Sequence, residues 1–311
     1  NSHPTLEGVR EIVKGAREGG TAYILPTFIT APDQDYLTAI NAVNAAIEND
    51  VPGVLGIHLE GPFLSKKRPG IHSVDAIRTI SEEDVTSIST GNAGVTLLTL
   101  APENAPEGAI SRLTENGVIV FAGHTAATSE EILEAEEQGL SGFTHLFNAM
   151  SQIGPRDIGA VGSALASKTL YAGIIADGLH VHKFNLSLAA KYIGSRLCIV
   201  TDAMQSLAGK NTQFDLYGKQ IFLKEEKLTD KTGILAGAHL AMDQAVRNMI
   251  EFAEVSAVEA IDMASSNPAS VLNLENQLGT IKKGYRASLT ILDSDLRAEG
   301  VLVDGQLFFG T

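Results

Sequence analysis

A barrel of eight alternating parallel strands and helices is the fold this sequence predicts, and three observations predict it. Short apolar runs bounded by turn residues alternate with longer helix-like stretches through most of the chain. Acids and imidazoles recur at the C-terminal ends of those runs, where a barrel of this kind gathers its active-site groups. The 311 residues, 44% of them hydrophobic and 19% charged, suffice to bury one large core with a small satellite domain.

The strand candidates are Ala22 to Ile29, Val54 to Leu59, Val95 to Leu100, Val118 to Ala122, Gly142 to Leu146, Tyr171 to Ala176 and Arg196 to Thr201. A closed eight-stranded barrel takes one strand more, which is expected upstream of Asn1. Helical segments fall between the runs, among them Thr5 to Glu18, Asp35 to Asn49, Ala109 to Glu115, Ser129 to Gln138 and Lys183 to Ile193. Thr128 or Ser129, ahead of Glu130 and Glu131, supplies an N-cap with acids in the first turn. A helix pair over Ala241 to Ala253 and Ser256 to Ser265 closes the helical part. Phe214 to Phe222 alternates about Gly218 and reads as an inserted hairpin near 214–223. The barrel is thus expected over residues 1–279, and short β-like segments over 280–311 are expected to form part of a small β-sandwich domain.

Composition narrows the function. The formal net charge of −14, with no dense block of Lys and Arg, argues against a nucleic-acid partner. No run of eighteen apolar residues and no charged-then-apolar leader is present, so no membrane span is predicted and the chain is expected to be soluble and cytoplasmic. The single cysteine, Cys198, lies in the apolar run Leu197-Cys198-Ile199-Val200 and reads as a buried strand residue.

Four reactive side chains fall at predicted strand ends: Glu60 in His58-Leu59-Glu60-Gly61-Pro62, His124 in Gly123-His124-Thr125, His145 in Thr144-His145-Leu146, and Asp202 in Val200-Thr201-Asp202-Ala203. The spacings from Glu60 to His124 and from His145 to Asp202 each match two strand–helix units, and that from His124 to His145 matches one. Taken singly, a strand histidine is more often a satisfied core residue and a strand-end aspartate more often a helix cap. Four at one rim point to chemistry instead. Two imidazoles and a carboxylate are a ligand set for a catalytic divalent ion with a position left open for water, and a nearby carboxylate, here Asp202, can move the proton. His58 shares the Glu60 face of its strand and reads as a core-layer residue. His3 and His182 receive no role.

Taken together and in this order, His58 to Phe63, Gly123-His124-Thr125, Thr144 to Met150, Gly173 to His180 and Val200 to Ala203 resemble the N-acetylglucosamine-6-phosphate deacetylases of the amidohydrolase superfamily, and the likeness runs from about Asn1 to Gly305. The resemblance implies that Glu60, His124 and His145 bind one divalent ion, zinc in first place with Fe2+ as an alternative and a second ion left open. It implies Asp202 as general base and acid and His72 as the group near the scissile carbonyl. It also implies that Asn148, the backbone N–H of Ala149, Arg156 and His180 hold the sugar hydroxyls and the 6-phosphate of a small phosphorylated amino sugar. A guanidinium fork suits phosphate oxygens, and in the family an arginine at this place reaches in from a neighbouring subunit, which implies a homodimer. Two departures stand out: Leu235 to Leu240 carries His239 where the family is richer in Gly and Ser, and Ala287-Ser288-Leu289 replaces a common Ala-Asp-Leu. The rival readings are a dihydroorotase-like enzyme acting on a cyclic amide, and a non-catalytic barrel scaffold. The first uses a lysine at the end of strand four, where this chain has Thr99-Leu100-Ala101-Pro102-Glu103; the second calls for a lost ligand or base, and none of the four is lost.

Overall fold

The computed structural model describes residues 3–309 except 92, 208, 210 and 211. Seven parallel strands form one sheet in chain order: β1 Thr27–Ile29, β2 Gly56–Glu60, β3 Val95–Leu100, β4 Ile119–Ala122, β5 Gly142–Phe143, β6 Tyr171–Ile175 and β7 Leu197–Val200. Each lies within a predicted run or extends it by one residue. From β2 to β7 most residues are buried, all four of β4 and four of five in β2 among them, as a parallel sheet covered by helices requires.

The chain divides into two compact units. The first takes residues 25–173 with 3–9 and holds β1 to β5 together with α2 Tyr36–Glu48, α3 Glu82–Thr90, α4 Ala109–Glu115, α5 Ser129–Glu137 and α6 Gly159–Ala166. Local chemistry sets several of the helix starts. Thr128 caps α5 through Glu131 N while the Glu131 carboxylate returns to Thr128 N, and Ser81 and Asp84 form the same reciprocal box at α3. Helix α3, rich in β-branched and hydroxyl residues, has little intrinsic helix preference, so its box and the burial of Val85 and Ile88 decide its form. Helix α6, Gly-Ala-Val-Gly-Ser-Ala-Leu-Ala, lacks a polar stripe because it is buried on nearly every face.

The second unit takes residues 10–24 and 174–311. It holds α7 Lys183–Ile193, β7, α8 Met242–Ala253, α9 Ala257–Ala264 and α10 Ser266–Val271, with α1 Leu6–Glu18 entering it from residue 10. The imidazole of His182 accepts from Phe184 N at 3.2 Å and caps α7. The predicted hairpin gains a third strand: β8 Gln213–Leu216, β9 Lys219–Lys224 and β10 Lys227–Asp230 form an antiparallel sheet. The tail forms another, β11 Leu289–Leu292, β12 Ala298–Val303 and β13 Gln306–Phe309. Cys198 is buried in β7, which pushes its thiol up to about 12 and keeps it protonated. No helix among the described residues is long and apolar enough to cross a membrane.

Candidate metal centre

Glu60 is the last residue of β2, and His124 and His145 stand two residues beyond β4 and β5. Parallel pairing in register, Glu60 beside Thr99 and Leu100 beside Ala122, brings these strand ends level. The three side chains converge: Oε1 of Glu60 lies 3.0 Å from His124 Nε2 and 2.9 Å from His145 Nε2, and the two nitrogens are 3.1 Å apart. All three residues are buried, with exposures of 3, 5 and 6%.

This donor set fits a divalent cation. Bonds of 2.0–2.1 Å to a tetrahedral ion place its ligand atoms about 3.3 Å apart, close to the observed triangle. His124 Nδ1 lies 2.9 Å from the Arg68 carbonyl, which can only accept, so the proton sits on Nδ1 and the Nε2 lone pair turns toward Glu60 and His145. Burial, reinforced by His72, lowers the His124 pKa to about 4, so the ring is neutral, as a ligand must be. Burial opposes ionisation of Glu60, yet the close polar contacts with the rings of His124, His145 and His72 outweigh it and hold the carboxyl well below its usual range.

His72, on the loop after β2, joins this group. Its Nδ1 is 2.8 Å from Thr30 Oγ1, its Nε2 is 3.8 Å from Glu60 Oε1, and its ring centroid is 4.2 Å from that of His124. Thr30 had no signal in the sequence beyond its place just past β1.

Backbone strain marks the same region. His124, His145, Phe147 and Ala149 have φ of 47, 33, 79 and 47°. Non-glycine residues in this region cost about 1–3 kcal/mol each and persist only where surroundings over-determine them. Thr125 N donates to the Ala149 carbonyl at 3.1 Å. Thr125 Oγ1 and Ala126 N both donate to the Glu103 carboxylate at 2.6 Å. The stretch after β3 that lacks a lysine therefore anchors the His124 loop through Glu103.

Asn148 and Ala149 lie on the loop after His145, where Asn148 Nδ2 donates to the His145 and Leu146 carbonyls at 3.3 Å. Arg156 is exposed. Among the described residues no ion pair joins it to Asp157, whose carboxylate accepts instead from Ser129 N and Gly159 N at 3.1 and 2.8 Å.

Asp202 and His180 belong to the second unit. Asp202 stands two residues beyond β7, and its carbonyl accepts from Ala238 N at 2.8 Å. His180 Nδ1 meets Asp177 Oδ2 at 2.5 Å, while Asp177 Oδ1 accepts from the N–H groups of Leu179 and His180 at 2.8 Å. Asp177 thus orients His180, a role that its place three residues earlier could have suggested. His239 Nδ1 lies 3.0 Å from the hydroxyl of the buried Ser206.

Residues 6–308 match the family model described as the amidohydrolase family. A relative from Shewanella named N-acetylgalactosamine-6-phosphate deacetylase is 39% identical over 99% of this chain and 78% of its own length. One from Haemophilus influenzae named N-acetylglucosamine-6-phosphate deacetylase is 33% identical over 98% of this chain and 81% of its own length. The crystal structure of N-acetylglucosamine-6-phosphate deacetylase from Pasteurella multocida superposes with a TM-score of 0.95 at 35% identity, over 99% of this chain and 82% of that one. Matching sequence, strand order and the buried Glu–His–His set at the strand ends place this chain in the amidohydrolase family.

Proposed function

We propose that the protein hydrolyses the N-acetyl amide of N-acetylglucosamine 6-phosphate, giving glucosamine 6-phosphate and acetate. The convergence of Glu60, His124 and His145 within 4.8 Å of one another carries this reading, supported by relatives named for the reaction. These three residues would hold one divalent ion, zinc in first place. When bound, such an ion polarises the amide carbonyl and brings the pKa of a water from 15.7 to roughly 7. His72, held by Thr30, donates to the carbonyl oxygen as negative charge develops there. Asp202 takes the proton of the attacking water and passes it to the leaving amine. Asn148, the N–H of Ala149 and His180, oriented by Asp177, hold the sugar and its phosphate. The exposed Arg156 reaches the phosphate at a neighbouring subunit's site, in a cytoplasmic homodimer. The same reading divides the chain into a catalytic barrel over 1–279 and a small β domain over 280–311.

One observation favours a second substrate: the relative at 39% identity is named for N-acetylgalactosamine 6-phosphate, which differs only at the C4 hydroxyl. Acetate release from both phosphorylated sugars and from free N-acetylglucosamine, with metal content measured on the same sample, tests the proposal. Turnover of the glucosamine epimer with little on the free sugar is expected. Faster turnover of the galactosamine epimer would transfer the assignment to it, and no acetate from either phosphate by metal-replete protein would refute the proposal. Glu60→Gln is expected to lose the stoichiometric ion and all measurable turnover, checked by elemental analysis after dialysis. A full complement of metal in that variant would remove Glu60 from the ligand set.

A further inference from the structure

Four polar side chains run across neighbouring strands of the sheet that carries the ligand set. Thr27 in β1, His58 in β2, Thr99 in β3 and Thr144 just after β5 are joined in one chain of hydrogen bonds. His58 Nδ1 lies 3.1 Å from Thr27 Oγ1, His58 Nε2 lies 2.8 Å from Thr99 Oγ1, and Thr99 Oγ1 lies 2.6 Å from Thr144 Oγ1. The Thr27 hydroxyl is aimed at the Leu25 carbonyl, 3.5 Å away, which leaves its lone pairs to accept from His58 Nδ1–H. One polarity then satisfies every member: Thr144 donates to Thr99, Thr99 donates to His58 Nε2, His58 donates to Thr27, and Thr27 to the backbone.

The chain skips β4 only because Gly123 has no side chain. A Cβ there would lie 2.6 Å from Thr99 Cγ2 and 3.0 Å from Thr144 Cβ, so the two threonines meet where any other residue would part them. Every ligand is tied to this row. His58 precedes Glu60 by two residues on the same face, Gly123 immediately precedes His124, and Thr144 immediately precedes His145. Thr99 pairs with Glu60 in register, and its carbonyl accepts from Gly61 N at 3.1 Å.

We propose that Thr27, His58, Thr99 and Thr144 form a positioning belt, centred on the Thr99 hydroxyl, that holds the donor atoms of Glu60, His124 and His145 in ligand geometry before any ion arrives. The inference rests on the reading that those three residues hold the ion. Groups that orient ligands without touching the metal commonly contribute 10- to 100-fold to its affinity. Thr99 is the most sensitive member because its one hydroxyl serves two links, and valine replaces it at nearly equal volume without either.

The test measures zinc affinity of metal-free full-length protein by competition with a chromogenic chelator, at a temperature where circular dichroism shows each variant folded. Thr99→Val is expected to bind zinc about 10- to 100-fold more weakly, and Thr99→Ser, which keeps the hydroxyl, to recover most of the loss. Thr144→Val, which cuts one link only, should fall between them and serves if Thr99→Val does not fold. A merely structural role would lower melting temperatures and leave zinc affinity unchanged. Parental affinity in the valine variants, or a serine variant as weak as the valine one, overturns the belt while leaving the metal site standing. A parent protein that binds no zinc overturns both.

Discussion

Asp202→Asn is expected to lower kcat for acetate release by about 10²- to 10⁴-fold, the range a positioned general acid–base contributes, while metal content stays stoichiometric. Asparagine matches the shape of aspartate and is among the residues that best tolerate positive φ, so the backbone at φ 48° is not disturbed. That backbone is pinned independently of the side chain: the Asp202 carbonyl accepts from Ala238 N at 2.8 Å, and Met204 N donates to the Ala238 carbonyl at 3.0 Å. What the amide cannot do is accept the proton of a water or return it to a leaving amine. The loss should therefore appear in kcat with KM nearly unchanged. Steady-state kinetics beside elemental analysis separate the cases. Normal kcat would remove Asp202 from proton transfer, and a low kcat with metal lost would make it a ligand instead.

Most of the barrel was legible because its signals are local. Each of the seven parallel strands is a short apolar run, and helices α4 and α7 have the bounds their periodicity predicts. The third strand of the inserted sheet, Lys227–Asp230, was hidden because Lys-Leu-Thr-Asp buries only Leu228 and carries no alternating pattern. The convergence of Glu60, His124 and His145 was readable from residue type and strand-end spacing, since parallel pairing in register brings the ends of neighbouring strands level. Its supports were not. The Arg68 carbonyl that sets the His124 tautomer is a backbone atom with no residue signature, and Thr30, Thr99 and Thr144 look like ordinary threonines until the hydroxyls of the first two meet imidazoles and that of the third meets Thr99. His58 had the right face assigned, but only geometry reveals that both its nitrogens are engaged. The positive φ angles at His124 and His145 are likewise invisible in a sequence that places histidine there.

The largest stability effect is expected away from the Glu60, His124 and His145 group, at a charge the sequence did not single out. Asp84, in the first turn of α3, is fully buried and accepts from Tyr36 Oη at 2.6 Å, Arg78 Nη1 and Nη2 at 2.5 and 2.7 Å, and Ser81 N and Oγ at 2.8 and 2.7 Å. Arg78 also donates to the Asp33 carbonyl at 3.1 Å, and its N–H to the Pro62 carbonyl at 3.1 Å, so one carboxylate ties α2, α3 and the loop that carries His72. Asp84→Asn turns an amide NH₂ toward donors and leaves Arg78 without its counter-charge, a change worth about 3 kcal/mol at neutral pH, the low end for a broken buried pair because Arg78 is one-third exposed. Burial opposes ionisation of Asp84, but the hydrogen bonds, led by that from Arg78, hold its carboxyl well below the ordinary range. Its contribution is therefore fully present above the unfolded value near 4 and is lost as pH falls toward the depressed folded value. Urea midpoints of parent and variant should differ widely at pH 7 and approach each other below about pH 4. Equal midpoints at pH 7, or a gap that widens in acid, would show that this buried carboxylate does not hold the loop in place by its charge.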